Sequence, residues 1–419
     1  MASRISIDNL PNEILSEIFQ IYINHNVLLH DSMIPQYFCK DLCLVCSRWG
    51  RITLNTPQFW STIKLSITPG VPDLPLRTLM TWVRQSGSLP VDIHIEIDNF
   101  QKTEYALGAF DVLWSSIRRW RTLTILAGHE AGQLLSQRSF QDASQLEHVE
   151  IDWLRADEGY LNLFIESLFS TAQPRFLSWK PVTPQLSQSI PALTSFSLLN
   201  RLDFCVSNSP GGLDCALDII INCEMITWIH LKEWDSDPDE YEPPTQRDPN
   251  SICLLYLQIL ELELESAECI HILELLHCPS LHVLAITPSG FPVSTFGPPS
   301  VEVLAAKFAN WTCAINSLKV LQVTGVSKEQ ILTFLCQEAL LNIPVVGVCS
   351  FTDEQIWAIL NEGQSGTVEM KERIKLVWNN RTMLIAGWAD NRVSSELKEY
   401  FLEREMKRLH LDLLCRQPT

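Results

Sequence analysis

The sequence has no uninterrupted apolar run near the roughly 18 residues that cross a bilayer, so no spanning helix is expected. Basic charge is in short supply. There are 31 lysines and arginines against 49 aspartates and glutamates, a net charge of −18. A general nucleic-acid binder needs a basic face to displace counterions, and an anionic membrane surface would repel such a chain. Neither partner is expected. Met1-Ala2-Ser3-Arg4-Ile5-Ser6 lacks the apolar core of a secretory signal. Catalytic signatures are missing as well. Gly363-Gln364-Ser365-Gly366 is polar, but it has neither the lysine nor the strand–helix context of a phosphate loop. No Gly-x-Ser-x-Gly elbow, His-Glu-x-x-His or kinase set occurs. The ten histidines are dispersed. The expectation is a chain without a catalytic site or cofactor.

The cysteines also lack a framework. Their number, thirteen, is odd, and most lie in apolar surroundings. Reduced thiols of a cytoplasmic or nuclear protein fit this usage. Cys43-x-x-Cys46 has zinc-like spacing, with Cys39, His25 and His30 near in sequence. Only one such pair exists, however, and Leu44-Val45 between them reads as core rather than as a knuckle turn. The preferred reading is three small apolar residues on one helix face, with no metal.

Apolar residues make up 46% of the 419, as in a globular protein with room for two domains. The start is the most sharply patterned stretch. Leu10-Pro11-Asn12-Glu13-Ile14-Leu15-Ser16-Glu17-Ile18-Phe19 predicts a helix capped by Asp8 or Asn9, with Pro11 in its first turn and Glu13 on the positive end of its dipole. Ile14, Ile18 and Tyr22 recur at helical spacing, with Leu15 and Phe19 beside them. The apolar stripe is wider than one small helix needs, which points to a partner. Asn24 to Pro35 predicts a loop, and a second helix is expected from about Tyr37 to Ile52. Thr56-Pro57 stops it, and Gln58 to Ile63 reads as a last short turn.

Across about fifty residues this resembles an F-box, in the F-box-like form of fungal proteins. The residues that carry the likeness are Leu10-Pro11-x-Glu13-Ile14-Leu15-x-x-Ile18-Phe19, Leu42-x-x-Val45-Cys46-x-x-Trp49-x-x-Ile52 and Thr56-Pro57-x-x-Trp60-x-x-Ile63. The resemblance implies a three-helix module docking on a Skp-family adaptor, and through it on a cullin. The adaptor-binding residues it implies are Leu10, Pro11, Glu13, Ile14, Leu15, Ile18, Phe19, Val45, Cys46, Trp49, Pro57 and Trp60. The long segment 24–36 and Ser47-Arg48 before Trp49, where paired basic residues often stand, depart from the family pattern.

Residues 67–90 read as a connector with a helix carrying Leu76, Leu79, Met80 and Val83 and ended by Gly87-Ser88. Then one phrase returns, Leu-x-x-Leu-x-Leu with conservative replacements, at Pro90, Trp120, Leu146, Leu199, Ile226, Leu257, Leu281, Val301, Leu318, Ile343 and Lys371, with one degraded slot near Phe176-Trp179. Helical stretches separate the returns, among them Tyr160–Ser170, Ala267–His277 and Lys328–Leu341. Strand plus helix at this period is the sign of a leucine-rich-repeat solenoid, with a generic α/β domain as the alternative. The expected organisation is a helical module over 1–66, the connector over 67–90, an irregular solenoid over 91–393 and a capping helix over 394–419. Overall this is an α/β chain with parallel strands inside and helices outside.

Residues between the apolar positions of each strand should line the inner face. Early on these are charged and mostly acidic: Asp92, His94, Glu96, His148, Glu150, Asp152, Arg201, Asp203, Trp228, His230, Lys232, Glu261 and Glu263. Later they turn apolar, with Val283, Ala285, Val303, Ala305, Val320 and Gln322. His148, Glu150, Asp152, Trp228, His230, Lys232, Trp234, Glu261 and Glu263 are the candidates for holding a target protein. An acidic, proline-rich insertion over 235–250 follows Trp234 and reads as a surface arm. With the resemblance, the expected function is the substrate-recognition subunit of a Skp–cullin–F-box ubiquitin ligase. The alternative is a scaffold that binds without leading to turnover.

Overall fold

The computed structural model describes residues 7–29, 35–68, 74–97, 103–128, 131–153, 158–182, 194–207, 212–234, 247–264, 266–287, 317–323, 345–348 and 382–384. The chain is an α/β protein in two compact units. One is Met1–Leu257 with Leu275–His277, and the other is Gln258–Glu274 with Cys278–Thr419. No helix among the described residues is long and apolar enough to cross a membrane.

The first unit opens with three helices, α1 (Asn12–Leu29), α2 (Pro35–Val45) and α3 (Ser47–Leu54). Three details differ from the sequence expectation. Helix α1 begins after Pro11 and continues through Asn24-His25-Asn26, where a loop was expected, and Ile7–Asn9 forms a separate 3-10 turn before it. The single helix expected over 37–52 is two. Cys46 is extended and caps α3, its sulfur accepting from the Trp49 N–H at 3.5 Å. The stretch after the Pro57–Trp60 3-10 turn is not a turn but strand β1 (Thr62–Ile67), whose residues alternate between buried and half-buried.

Strand β1 starts a parallel sheet. It continues through β2 (Val91–Ile97), β3 (Trp120–Ala127), β4 (His148–Trp153), β5 (Phe176–Val182), β6 (Arg201–Ser207) and β7 (Trp228–Trp234), each paired with the next. Parallel neighbours need crossovers. These carry α4 (Leu76–Gln85), α5 (Thr103–Trp114), α6 (Ala131–Ser136), α7 (Glu158–Phe169) and α8 (Gly212–Ile221). Between β5 and β6 the described crossover residues form only a 3-10 turn, Thr194–Leu198. The slot that looked degraded in sequence is the full strand β5. Its pairing with β6 shifts between Trp179 and Val182, around Pro181, which has no N–H to give the ladder.

The register lines up the apolar positions of successive strands. Ile63, Ile93, Leu123, Val149, Leu177, Leu202 and Ile229 form one row, and Leu65, Ile95, Ile125, Ile151, Trp179, Phe204 and Leu231 form the next. Every member is at most 1% exposed. Burying one such side chain is worth about 1.5–3 kcal/mol. Aromatic rings fill part of the core: Trp114 meets Trp120 at 4.8 Å, Phe140 meets Phe164 at 5.3 Å, and Trp153 meets Phe164 at 5.3 Å. Arg119 ties the end of α4 to this core by donating to the Val83 and Leu89 carbonyls and to Ser86 Oγ. Gly87 leaves α4 at φ 60°, a left-handed turn that suits glycine. A small parallel pair, β8 (Ile252–Cys253) and β10 (Leu276–His277), also belongs to this unit. It was not expected, because Leu276 and His277 read as the end of a helix.

The second unit pairs β9 (Ile259–Glu263), β11 (Val283–Ile286), β12 (Val320–Val323), β13 (Val345–Val348) and β14 (Thr382–Leu384), all parallel and in that order. Helix α9 (Ser266–Leu275) follows β9. Strand β11 is buried on both faces, as its unbroken apolar run requires. The expected repeats at Val301 and Lys371, the helix over 328–341, the insertion at 235–246 and the helix over 394–417 lie outside the described residues.

Ile125→Ala should destabilise the chain by about 2–5 kcal/mol, measured by urea unfolding. Thr124→Ala, one residue away on the opposite face, should stay within about 0.5 kcal/mol.

Candidate protein-binding surfaces

Two surfaces of the first unit remain uncovered by its core. The first is on the N-terminal helices. Leu15, Phe19 and Ile23 face inward against Phe38, Cys39, Leu42 and Ile52, all of them buried. Phe19 packs on Trp49 at 4.7 Å and on Phe59 at 6.5 Å. Trp60 is buried too, its Nε1 donating to the Thr53 carbonyl at 2.9 Å. Arg48 joins α3 to the start of α1 by donating to Asn12 Oδ1 and to the Leu10 carbonyl.

This corrects part of the expected docking set. Leu15, Phe19 and Trp60 build the unit and do not line its surface. Among the described side chains the outward apolar residues of α1 are Ile14, Ile18, Ile21 and Tyr22, spaced i, i+4, i+7, i+8, and α2 adds Tyr37, Leu44 and Val45. Among the described side chains of the two helices, Ile21 at 68% and Leu44 at 73% are the most exposed large apolar ones; Ile21 was not singled out from sequence, and Leu44-Val45, expected to be core, is on the surface because α2 ends there. Of the remaining expected residues, Pro11, Glu13 and Cys46 are exposed, and Leu10, Trp49 and Pro57 are half-buried.

The cysteines of this region are already engaged. Cys39 donates to the Phe59 carbonyl at 3.4 Å, and burial, with a lesser effect from Cys43, pushes its thiol up to about 12. Burial also pushes the Cys43 thiol up. Among the described residues no three His, Cys, Asp or Glu side chains are grouped to hold an ion.

The second surface is the sheet face away from the two apolar rows. Its outer row runs Thr62, Asp92, Thr122, His148, Phe176, Arg201 and Trp228, and its middle row Lys64, His94, Thr124, Glu150, Ser178, Asp203 and His230. A third row adds Ser66, Glu96, Leu126, Asp152 and Lys180, with Cys205 beside Lys232 further on. Thus His148, Glu150, Asp152, Trp228, His230 and Lys232 share one face, but β5 and β6 lie between the two strands that carry them. Phe176, Ser178 and Lys180 complete that face. Sequence reasoning passed them over because Trp179 replaces the usual leucine, although polar residues alternate with apolar ones there as elsewhere. The Trp234 side chain lies outside the described residues. Glu261 and Glu263 belong to the second unit and are 1% and 7% exposed, so they are not the solvated positions expected; both are engaged by other groups.

Asp203 is the hub of the face. Its Oδ1 lies 2.8 Å from His230 Nδ1, Ser178 Oγ donates to Oδ2 at 3.2 Å, and Lys180 Nζ stands 4.0 Å away. Burial alone would raise its pKa. His230, Lys180 and Ser178 together outweigh burial and hold the carboxyl below its ordinary range. Asp152 is the opposite case, pushed up by burial despite Lys180. His94 is pushed down by burial, against the pull of Asp92 and Glu150.

Serine, histidine and aspartate meet here, yet not as a nucleophilic triad. The serine hydroxyl donates to the carboxylate and not to the imidazole, so no base is set to take its proton. The arrangement fixes the orientation of the Ser178, Asp203 and His230 side chains on the polar face. Compared with protein-family models and with curated proteins, the chain matches none.

The Asp203 carboxylate contributes stability above the unfolded carboxyl pKa of about 3.9. That contribution is lost as pH falls through the lower folded value. Asp203→Asn should therefore lower the melting temperature at pH 7, and the gap to wild type should shrink below about pH 4. Thermal melts from pH 3 to 7 check this.

Proposed function

We propose that the chain is an F-box-like substrate receptor. Its N-terminal helices dock on a Skp-family adaptor bound to a cullin, and its sheet face holds a target protein. The supporting observation is the outward apolar stripe of Ile14, Ile18 and Ile21 on α1, with Leu44 and Val45 on α2. Those helices already bury Leu15, Phe19, Phe38, Cys39 and Leu42 inside. Apolar surface left over after a core is complete marks a contact with another protein. The F-box phrase around Leu10–Phe19 names the partner.

In this reading the in-register strands with crossover helices are an irregular leucine-rich-repeat-like solenoid. Each unit leaves an apolar edge that its neighbour covers. The role in the ligase is proximity: a target held on the sheet face presents its lysines at high effective concentration. No bond chemistry is assigned to this chain. It would work in the cytoplasm or the nucleus, where such ligases act.

The test is capture of the intact chain by purified Skp adaptor. Ile14→Asp with Ile18→Asp should weaken capture at least about tenfold without lowering the melting temperature, because both residues lie outside the core. Failure of the wild-type chain to bind adaptor would sink the proposal. If it binds adaptor, but its partners keep the same lifetime when the chain is removed, the scaffold reading replaces the ligase one.

A further inference from the structure

The geometry points to Arg201 as the anchor for a carboxylate side chain, aspartate or glutamate, on an extended segment of the target protein. This rests on reading the sheet face as the target surface. The guanidinium lies 4.7 Å from the Trp228 ring centre and 5.7 Å from that of Phe176, the residues beside it in the outer row. His148 continues the stack, 5.8 Å from Phe176. Aromatic neighbours on both adjoining strands therefore hold the fork in place before any ligand arrives.

The fork is held but not used. Arg201 is exposed, and no described residue accepts a hydrogen bond from its side chain or pairs with its charge. The nearest carboxylate along its own strand, Asp203, is committed to His230, Ser178 and Lys180. The register shift beside this row shows the satisfied case. Arg121 grips Asp92 with two bonds, Nε to Oδ1 at 3.0 Å and Nη2 to Oδ2 at 2.5 Å. The guanidinium of Arg121 thus has its carboxylate within the chain, and that of Arg201 is an open fork of the same shape.

A single planar fork matches a carboxylate, which accepts two parallel N–H bonds. A phosphoryl dianion calls for more than one cation, and Asp203 two residues along the strand would repel it more than it repels a singly charged carboxylate. An extended segment crossing the strands turns every second side chain to the sheet, about 6.6 Å apart against about 4.8 Å between strands, so the residues two before and two after the acid would reach the outer sides of the Phe176 and Trp228 rings.

The test uses the intact chain and random twelve-residue peptides displayed on phage. The best selected peptide is then measured by fluorescence anisotropy against wild type, Arg201→Gln and Arg201→Lys. Selected peptides should share an aspartate or glutamate at one position, and changing it to the amide should weaken binding about tenfold or more. Arg201→Gln should cost as much, and the two changes together no more than either alone. Arg201→Lys, which keeps the charge and loses the fork, should stay weak. The exposed site predicts unchanged melting temperatures for both variants.

Peptides without a shared acid, or an acid whose loss costs the same in Arg201→Gln, would overturn the assignment. So would a phosphoserine at that position binding more than tenfold tighter than the acid, which would assign the fork to phosphoryl groups. Peptide binding is scored without adaptor. A chain that takes the acidic peptide and not the adaptor would defeat the ligase reading alone, whereas one that takes the adaptor with no role for Arg201 would defeat this inference alone.

Discussion

Strand side chains alternate faces with a period of two, and in this sheet each strand stacks on the last in parallel and nearly without slippage. Once Ile63, Ile93, Leu123, Val149, Leu177, Leu202 and Ile229 form a sealed row, the residues on either side of each must face the other way. A slip of one residue would turn the apolar rows outward and bury Lys64, Glu150 and Asp203 without partners. The register that makes the core therefore also makes the polar face. His148, Phe176, Arg201 and Trp228 stand side by side because the leucines behind them are in step.

The N-terminal helices obey a different constraint. Three short helices have one inner seam, and Leu15, Phe19, Phe38, Leu42 and Trp60 fill it. Arg48 fixes α3 against the first residues of α1, so the seam cannot rotate to take in Ile14 and Ile18 instead. The outer stripe is what the geometry leaves over. β1 follows Trp60 after one residue and pairs at once with β2, so the helices are joined directly to the sheet and not through a separate linker.

The repeat was legible in the sequence because the stacking constraint writes itself as Leu-x-x-Leu-x-Leu, and strands β2, β3, β4, β6 and β7 lie where it recurs. β5 was weak in sequence because Trp179 fills the second leucine slot and Pro181 breaks the ladder. Both choices work in the fold, the tryptophan as a fully buried core ring and the proline at a register shift. β1 was hidden by the aromatic pair Phe59-Trp60, which resembles the end of a helical module more than the start of a sheet. Inside and outside could not be separated within the helix phrase Ile14-Leu15 and Ile18-Phe19. Adjacent apolar residues point about 100° apart on a helix, and only tertiary packing decides which of each pair turns in. The same limit applies to Glu261 and Glu263. Their alternation matches that of Glu150 and Asp152, but their burial depends on what covers the strand, which period alone does not encode.

The polar face is also not a random solvated surface, because its charges are unequally committed. Arg121 holds Asp92, Lys64 approaches Glu96 at 3.7 Å, and Asp203 is shared by three neighbours. Arg201 and Asp203 sit two residues apart on the same face of one strand, a separation an arginine side chain can span. They do not pair: His230 and Ser178 take both carboxylate oxygens, while the guanidinium stacks on Phe176 and Trp228. The Asp203 cluster and the aromatic row thus act as one device. The first engages the acid two residues along the strand, and the second holds the guanidinium against its rings. In a chain of net charge −18, an exposed cation left unpaired beside an acid of its own strand is a position the fold has to maintain. That maintained separation is the physical reason to look for its partner outside the chain.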